Sequence, residues 1–320
     1  MSLMVIGGSG FFGKSFLDAF RRGRLAPWDI GRIIVVARHA RQLAYTHSDL
    51  TAAGVELIDA DVGAVDRLPD ADIIIHAASS TDAQRYVDAA AQERANIEAS
   101  TENFCRIAAL HHRSSRIVYT SSGAVYGQID PLIERISEED DGGAVSELVT
   151  YKQDYAIAKR AAEMRIAQLG SDGVAVAVAR CFAFVGAYLP RDQHFAIGNF
   201  LADGLAGRRI EVKARHAVYR SYMHADDLVH WLMTIATVAD SGCPIFNVGS
   251  DEAYTVGQVA QMVARRFDVD ADVPSFTSDR VDRYIPSVAR ARETLGLRLA
   301  YDLPAAIDDI AGRLVQSACR

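Results

Sequence analysis

Seven short runs of apolar, largely β-branched residues recur along the chain: "LMVI" (3–6), "RIIVVA" (32–37), "VELI" (55–58), "DIIIHAA" (72–78), "RIVYTSS" (116–122), "VAVAVAR" (174–180) and "PIFNVGS" (244–250). Each is bounded by turn residues and carries few charges, which predicts strands buried on both faces of a parallel sheet. Between them, over 13–22, 83–112 and 152–169, the apolar positions fall at helical spacing. Strand and helix alternating in this way predict an α/β, doubly wound parallel sheet. After about residue 181 the texture changes. Helical patterns at 195–207, 225–239, 255–267 and 303–317 are separated by loop-rich stretches such as "DVPSFTSDRVDRYIPS", and 209–222 has room for strands. The expected division is a dinucleotide-binding domain of 1–180 plus about 240–250, and a smaller, mostly C-terminal substrate domain of 181–239 plus 251–320.

Composition narrows the function classes. At 320 residues, half of them hydrophobic and 23% charged, the chain is long enough for one large core or two. A net charge of −7 gives no footprint for nucleic acid or an anionic membrane, so a phosphate-bearing ligand must be held by local features. Cys105, Cys181, Cys243 and Cys319 are far apart and form no CxxC or Cys/His cluster. That spacing predicts a reduced, cytoplasmic protein without a structural metal. No apolar run reaches bilayer length and no basic leader precedes "LMVIGGSG", so neither secretion nor membrane insertion is expected.

"VIGGSGFFGKSF" carries Gly7, Gly10 and Gly13 as GxxGxxG, directly after the first predicted strand and opening the first predicted helix. Glycines there permit a tight turn and close backbone approach, and the helix N-terminus presents N–H groups to a pyrophosphate, as in a Rossmann nucleotide fold. The second strand ends in "VVARHARQL", with Arg38 and Arg41 where an NAD-binding chain would place an acid. An arginine at that point favours the 2′-phosphate of NADP, while an arginine stacked on the adenine is compatible with NAD. Further on, "IDADV" offers Asp61 as an acceptor for the adenine amino group, with Val62 counted beside it in the cofactor pocket; a surface turn reads equally well there.

The pair Tyr155 and Lys159 in "YAIAK" lies at i,i+4, a spacing many helices contain by chance. Joined to Ser122 in "IVYTSSGAVYG" it gains a chemistry. Hydride transfer at a carbinol or ketone needs a group that moves a proton on the same oxygen, and a tyrosine beside a lysine charge can do so if its pKa is lowered. A serine at a strand end can hold that oxygen.

With these motifs the sequence resembles the extended short-chain dehydrogenase/reductase superfamily, in its NAD-dependent epimerase/dehydratase branch acting on nucleotide sugars. The likeness rests on "GGSGFFG", "HAAS" (76–79), "NIEASTEN" (96–103), "TSSGAVYG" (120–127), "YAIAK", "RSYMHADDL" (220–228), "FNVGS" (246–250) and "ARETLGL" (291–297), in that order along almost the whole chain. It implies Tyr155 as acid/base, Lys159 as its activator and ribose anchor, Ser122 as partner of the substrate oxygen, and Asn96 as a structural member of the proton-relay tetrad. It further implies a pyrophosphate loop of Gly7, Gly10, Phe11, Phe12 and Gly13, with Ala77 and Ala78 beside the cofactor. Arg220, Arg283 and Asn199 become substrate ligands on this reading, though an arginine in an acidic protein is commonly a surface ion-pair partner. Two departures bear on the reaction. Ser122-Gly123-Ala124 stands where 4,6-dehydratases read T-D-E, which removes the acids needed for dehydration, and Ala183 stands where many members place an asparagine on the substrate's phosphates.

The expected function is reduction of a 4-keto-6-deoxy sugar nucleotide with NADPH or NADH. The alternative is an NAD-dependent 4-epimerase using the same Ser, Tyr and Lys. A non-catalytic dinucleotide sensor is the third reading; such proteins commonly lose the tyrosine or lysine that this chain keeps. A homodimer is expected from the resemblance, through faces of 83–112 and 152–169 that could equally be intramolecular core.

Overall fold

The computed structural model describes residues 1–320 apart from 52, 80–82, 192, 194, 277, 279, 319 and 320, and omits the side chains of 83, 150, 151, 317 and 318. Cys319 thus lies outside the described residues. The chain divides into two compact units, 1–128 with 142–181 and 229–246, and 129–141 with 182–228 and 247–320.

The first unit is built on a seven-stranded sheet. Its strands are β1 (Ser2–Ile6), β2 (Arg32–Ala37), β3 (Val55–Asp59), β4 (Ile73–His76), β5 (Arg116–Ser122), β6 (Ala175–Cys181) and the strand Ile245–Val248. Across the sheet the order is Ile245–Val248, β6, β5, β4, β1, β2, β3. The pairs β1–β2, β1–β4, β2–β3, β4–β5 and β5–β6 are all parallel. The doubly wound Rossmann sheet read from the seven apolar runs is therefore the observed one. β1 neighbours both β2 and β4, so the strand order reverses beside β1, and crevices for ligands form outside the strand ends at such a point.

Helices α1 (Phe11–Arg21), α2 (Leu43–Thr46), α3 (Ala83–His111) and α4 (Thr150–Ser171) connect these strands. Phe104 and Ile107 of α3 and Ala158 and Ile166 of α4 pack against Ile74 and Ile117 of the sheet. Each of the larger of these side chains contributes about 1.5–3 kcal/mol by leaving water. α3 is broken at Ala89, where φ −149° and ψ 49° leave the helical region. Neither Gly nor Pro marks the break, so the pattern over 83–112 reads as one continuous helix.

The second unit holds helices Ala196–Leu205, Val256–Phe267, Ala289–Leu295 and Leu303–Ala318. Thr255 and Gln258 close a capping box at the start of the second of these. Its three-stranded sheet places Ala217–Arg220 between Tyr254–Thr255, antiparallel, and Val281–Tyr284, parallel. Val281–Tyr284 falls within the stretch that the sequence reads as loop. "VDRY" has no apolar alternation, and its pairing with Ala217–Arg220 supplies what local pattern lacks.

Candidate active site

At the strand reversal, the glycine turn is defined by contacts that leave no room for a side chain. Gly7 has φ +79°, and a Cβ on it would lie 2.5 Å from the Ala77 carbonyl oxygen and 2.7 Å from Ala78 Cα. A Cβ on Gly13 would sit 2.0 Å from the Gly8 oxygen. Close approach of the two crossover turns thus requires glycine on one side and small residues on the other. The Gly7 N–H donates to Val36 O at 2.8 Å and Gly10 N–H to Gly7 O at 3.1 Å, which fixes the turn. Gly10 is the N-cap of α1; no side chain caps it and no acid occupies the first turn. The positive end of the helix dipole therefore faces the crevice without an internal anion. Phe11 and Phe12 are half-buried, edge to face, at the helix start. This cradle fits a dinucleotide pyrophosphate. Gly8, whose backbone receives Gly13, is the one member that the GxxGxxG spacing does not single out.

Arg38 is exposed immediately after β2 and makes no hydrogen bond or ion pair among the described residues. Arg41 is engaged differently: its backbone N–H donates to Asp59 Oδ1 at 2.9 Å. Asp61 is exposed and accepts from the Gly63 N–H at 2.9 Å. Val62 is buried, and its carbonyl accepts from Asn103 Nδ2 at 2.7 Å, which ties this loop to α3.

The second constellation joins the end of β5 to one face of α4. Tyr155, Lys159 and Glu163 follow at i, i+4 and i+8, so they descend one side of the helix. Each meets β5. The Tyr155 phenol is hydrogen-bonded to Ser122 and Ser79. Lys159 Nζ donates to Thr120 O at 3.0 Å and to the Tyr119 hydroxyl at 3.3 Å. Glu163 accepts from Ser121 Oγ at 2.5 Å and takes a bidentate pair from Arg180, whose guanidinium lies 4.8 Å from the centre of the Tyr126 ring. Ser122 Oγ also accepts from the Ala124 N–H at 3.2 Å, capping the short turn that carries Gly123 and Ala124 in place of acids.

Burial sets the charge states here. Lys159 is 2% exposed, and burial lowers its pKa to about 8, opposed by the nearby Cys181 and Glu163. Burial pushes the Tyr155 phenol up rather than down, with the Ser122 hydrogen bond acting in the opposite direction. The lowered tyrosine pKa anticipated from sequence is thus absent from the protein by itself, because desolvation of the phenolate outweighs the hydrogen bonds that favour it. His76, at the end of β4, lies between Phe104 and Tyr119 with neither ring nitrogen partnered among the described residues. Burial first, then the Lys159 charge, bring its pKa down to about 3, so it is neutral.

Asn96 is not brought to this cluster. It is exposed on α3, accepting from Gln92 at 3.0 Å and donating to Glu93 at 3.5 Å, both on its own helix. Tyr119, Glu163 and Arg180 are the neighbours of the Tyr–Lys pair that sequence reasoning passes over. Glu163 carries a signal, since it extends the i,i+4 series by one step.

In the second unit, Arg220 and Arg283 lie on the paired strands Ala217–Arg220 and Val281–Tyr284. Arg220 is engaged by Asp282 through Nη1 at 3.0 Å and Nη2 at 3.1 Å. Arg283 stacks over Tyr219 at 4.4 Å, and its Nε is buried without a partner among the described residues. Asn199 donates to Gln193 O at 2.8 Å, while its Oδ1 is buried without a partner among the described residues. Among the described residues no group of His, Cys, Asp and Glu is arranged to hold a metal ion, and no helix is long and apolar enough to cross a membrane.

Comparison with known proteins gives four findings. UDP-glucuronic acid decarboxylase 6 of Arabidopsis thaliana is 28% identical over 207 residues, a match that covers 62% of this chain and 59% of that protein, less than two thirds of its length. GDP-6-deoxy-D-mannose reductase of Pseudomonas aeruginosa is 26% identical over 282 residues, covering 85% of this chain and 82% of the relative. The structure of a UDP-glucose 4-epimerase of Thermotoga maritima, solved with UDP-glucose, matches over 100% of both chains with a TM-score of 0.79 at 17% identity, which shows a shared fold. Residues 3–249 match the model of a single family, most of the length that carries the crevice and the Ser–Tyr–Lys constellation. The chain belongs to the NAD dependent epimerase/dehydratase family.

Proposed function

We propose that this protein reduces the 4-keto group of a nucleoside-diphosphate 6-deoxy sugar, with NADPH preferred over NADH. The bound dinucleotide supplies the hydride. The backbone of Gly7, Gly10, Phe11, Phe12 and Gly13 holds the pyrophosphate, Ala77 and Ala78 line the same crevice, and Asp61 and Val62 border the adenine. Arg38, exposed and without a protein partner among the described residues, takes the 2′-phosphate. Ser122 and Tyr155 grip the substrate carbonyl oxygen, Tyr155 donates the proton, and Lys159 anchors the ribose and supplies positive charge. Arg220, Arg283 and Asn199 receive the nucleoside diphosphate.

The observation that carries this reading is the placement of the Tyr155 phenol, beside Ser122 at the end of β5 and one helical turn from the buried Lys159 ammonium. A phenol held there is positioned to give its proton to a carbonyl oxygen as that oxygen becomes an alkoxide, with the Lys159 charge favouring the phenolate left behind. The reductase relative, whose match extends over most of both chains, and the exposed Arg38 support the same direction. A homodimer through α3 and α4 accompanies the proposal. Val87, Leu110 and Met164 are exposed there, and a shallow groove runs between Ala95, Ala99 and Ala161.

Purified protein is assayed for NADPH oxidation with 4-keto-6-deoxy sugar nucleotides, and its released nucleotide is identified after denaturation. Net oxidation with exchangeable NADP is expected. Stoichiometric NAD that resists dialysis, with no net turnover of NADPH, overturns the reductase in favour of the 4-epimerase. Tyr155→Phe is expected to lose about 10²–10⁴-fold in kcat while cofactor binding stays nearly intact. Retained activity in that variant removes Tyr155 from the role.

A further inference from the structure

The Lys159 ammonium is buried and forms no ion pair among the described residues, so neutral acceptors must hold its charge. The Thr120 carbonyl is one and the Tyr119 hydroxyl is the other. Tyr119 is 1% exposed and lies beside Thr101 of α3, which is also 1% exposed and whose hydroxyl donates to the Ile97 carbonyl at 2.9 Å. The Tyr119 hydroxyl oxygen is the side-chain acceptor that meets the Lys159 charge.

We propose that Tyr119 is a positioning residue for Lys159: its hydroxyl oxygen, accepting from Nζ at 3.3 Å, fixes the ammonium beside Tyr155 and keeps it charged. This rests on the reading of Tyr155 and Lys159 as the proton-transfer pair. The groups facing Lys159 are Tyr155 and Glu163 on its own helix, Tyr119 on β5, Cys181 on β6, and His76 on β4, with Arg180 reaching it only through Glu163. His76 and Cys181 are held neutral by burial, and Glu163 is already satisfied by Arg180 and Ser121. Tyr119 is thus the member of this set whose hydrogen bond to Lys159 can be deleted without adding a charge or a cavity.

The chain contains four lysines, Lys14, Lys152, Lys159 and Lys213, so protein with 13C-labelled lysine gives four side-chain signals to follow by NMR as pH is raised. In Tyr119→Phe, which keeps the ring beside His76, the Lys159 midpoint is expected to fall by about one pH unit, a tenfold loss in proton affinity. In turnover, Tyr119→Phe moves the alkaline limb of kcat downward by the same amount, with KM for substrate nearly unchanged. An unmoved midpoint in Tyr119→Phe overturns the proposal. The midpoint is read without turnover, so it is independent of whether Tyr155→Phe abolishes activity; that outcome tests the underlying reading by itself.

Discussion

The end of β5 with α4 and the strand pair Ala217–Arg220/Val281–Tyr284 both gather charged and phenolic side chains, but they treat them in opposite ways. Along β5, Tyr119, Thr120, Ser121 and Ser122 each have a partner on α4, and Lys159 and Glu163 are satisfied within the protein. On the other pair, Arg283 keeps a buried Nε unpartnered among the described residues, and Arg220 is neutralised by Asp282. On the proposed roles, the difference separates positioning from capture. Groups proposed to hold one geometry are tied to their own scaffold, whereas the arginines proposed for an anion retain an unsatisfied donor or would exchange a protein carboxylate for the ligand.

Variants can break that contrast. The largest effect is expected at the glycine cradle, which lies outside both regions and has no room for a side chain. Gly13→Ala pushes a methyl into the Gly8 backbone, and a loss of stability above about 3 kcal/mol together with loss of dinucleotide binding is expected by thermal denaturation and titration. Wild-type affinity in that variant would show that the crevice deforms freely. Next in size, wild type should lose stability as pH falls below 6.5. His76 stays neutral when folded down to about 3, so the unfolded state binds the extra proton across that window, at about 1.4 kcal/mol per pH unit for this one group. His76→Phe removes that slope; an unchanged acid limb in urea titrations would assign it to other groups.

Smaller effects should sort the arginines. Arg283→Met is expected to raise KM for the nucleotide sugar about tenfold at nearly constant kcat, since it removes a ground-state contact. A fall in kcat alone would move Arg283 from capture to positioning. Arg38→Asp should weaken NADP several-fold and leave NAD almost unchanged, by equilibrium titration. Equal losses for both cofactors would refute a 2′-phosphate contact.

How much was legible in the sequence follows from the same physics. The strands of the main sheet were readable because burial on both faces demands near-continuous apolar runs, as in "RIIVVA" and "DIIIHAA". Val281–Tyr284 and helix Ala289–Leu295 were not, since a four-residue edge strand and a two-turn helix draw their stability from neighbours. The break at Ala89 left no Gly or Pro to announce it.

By itself the sequence determined the doubly wound sheet, the glycine turn at its reversal, and the candidate set Ser122, Tyr155 and Lys159, because periodicity and i,i+4 spacing are local properties of the chain. Tertiary structure alone decided what surrounds that set. It turned Asn96 outward, placed Tyr119 and Thr101 behind Lys159, paired Glu163 with Arg180, and raised the Tyr155 phenol instead of lowering it. Hydrogen-bond partners and desolvation depend on which residues from distant segments share a volume. That is fixed only when α3, α4 and β5 pack together.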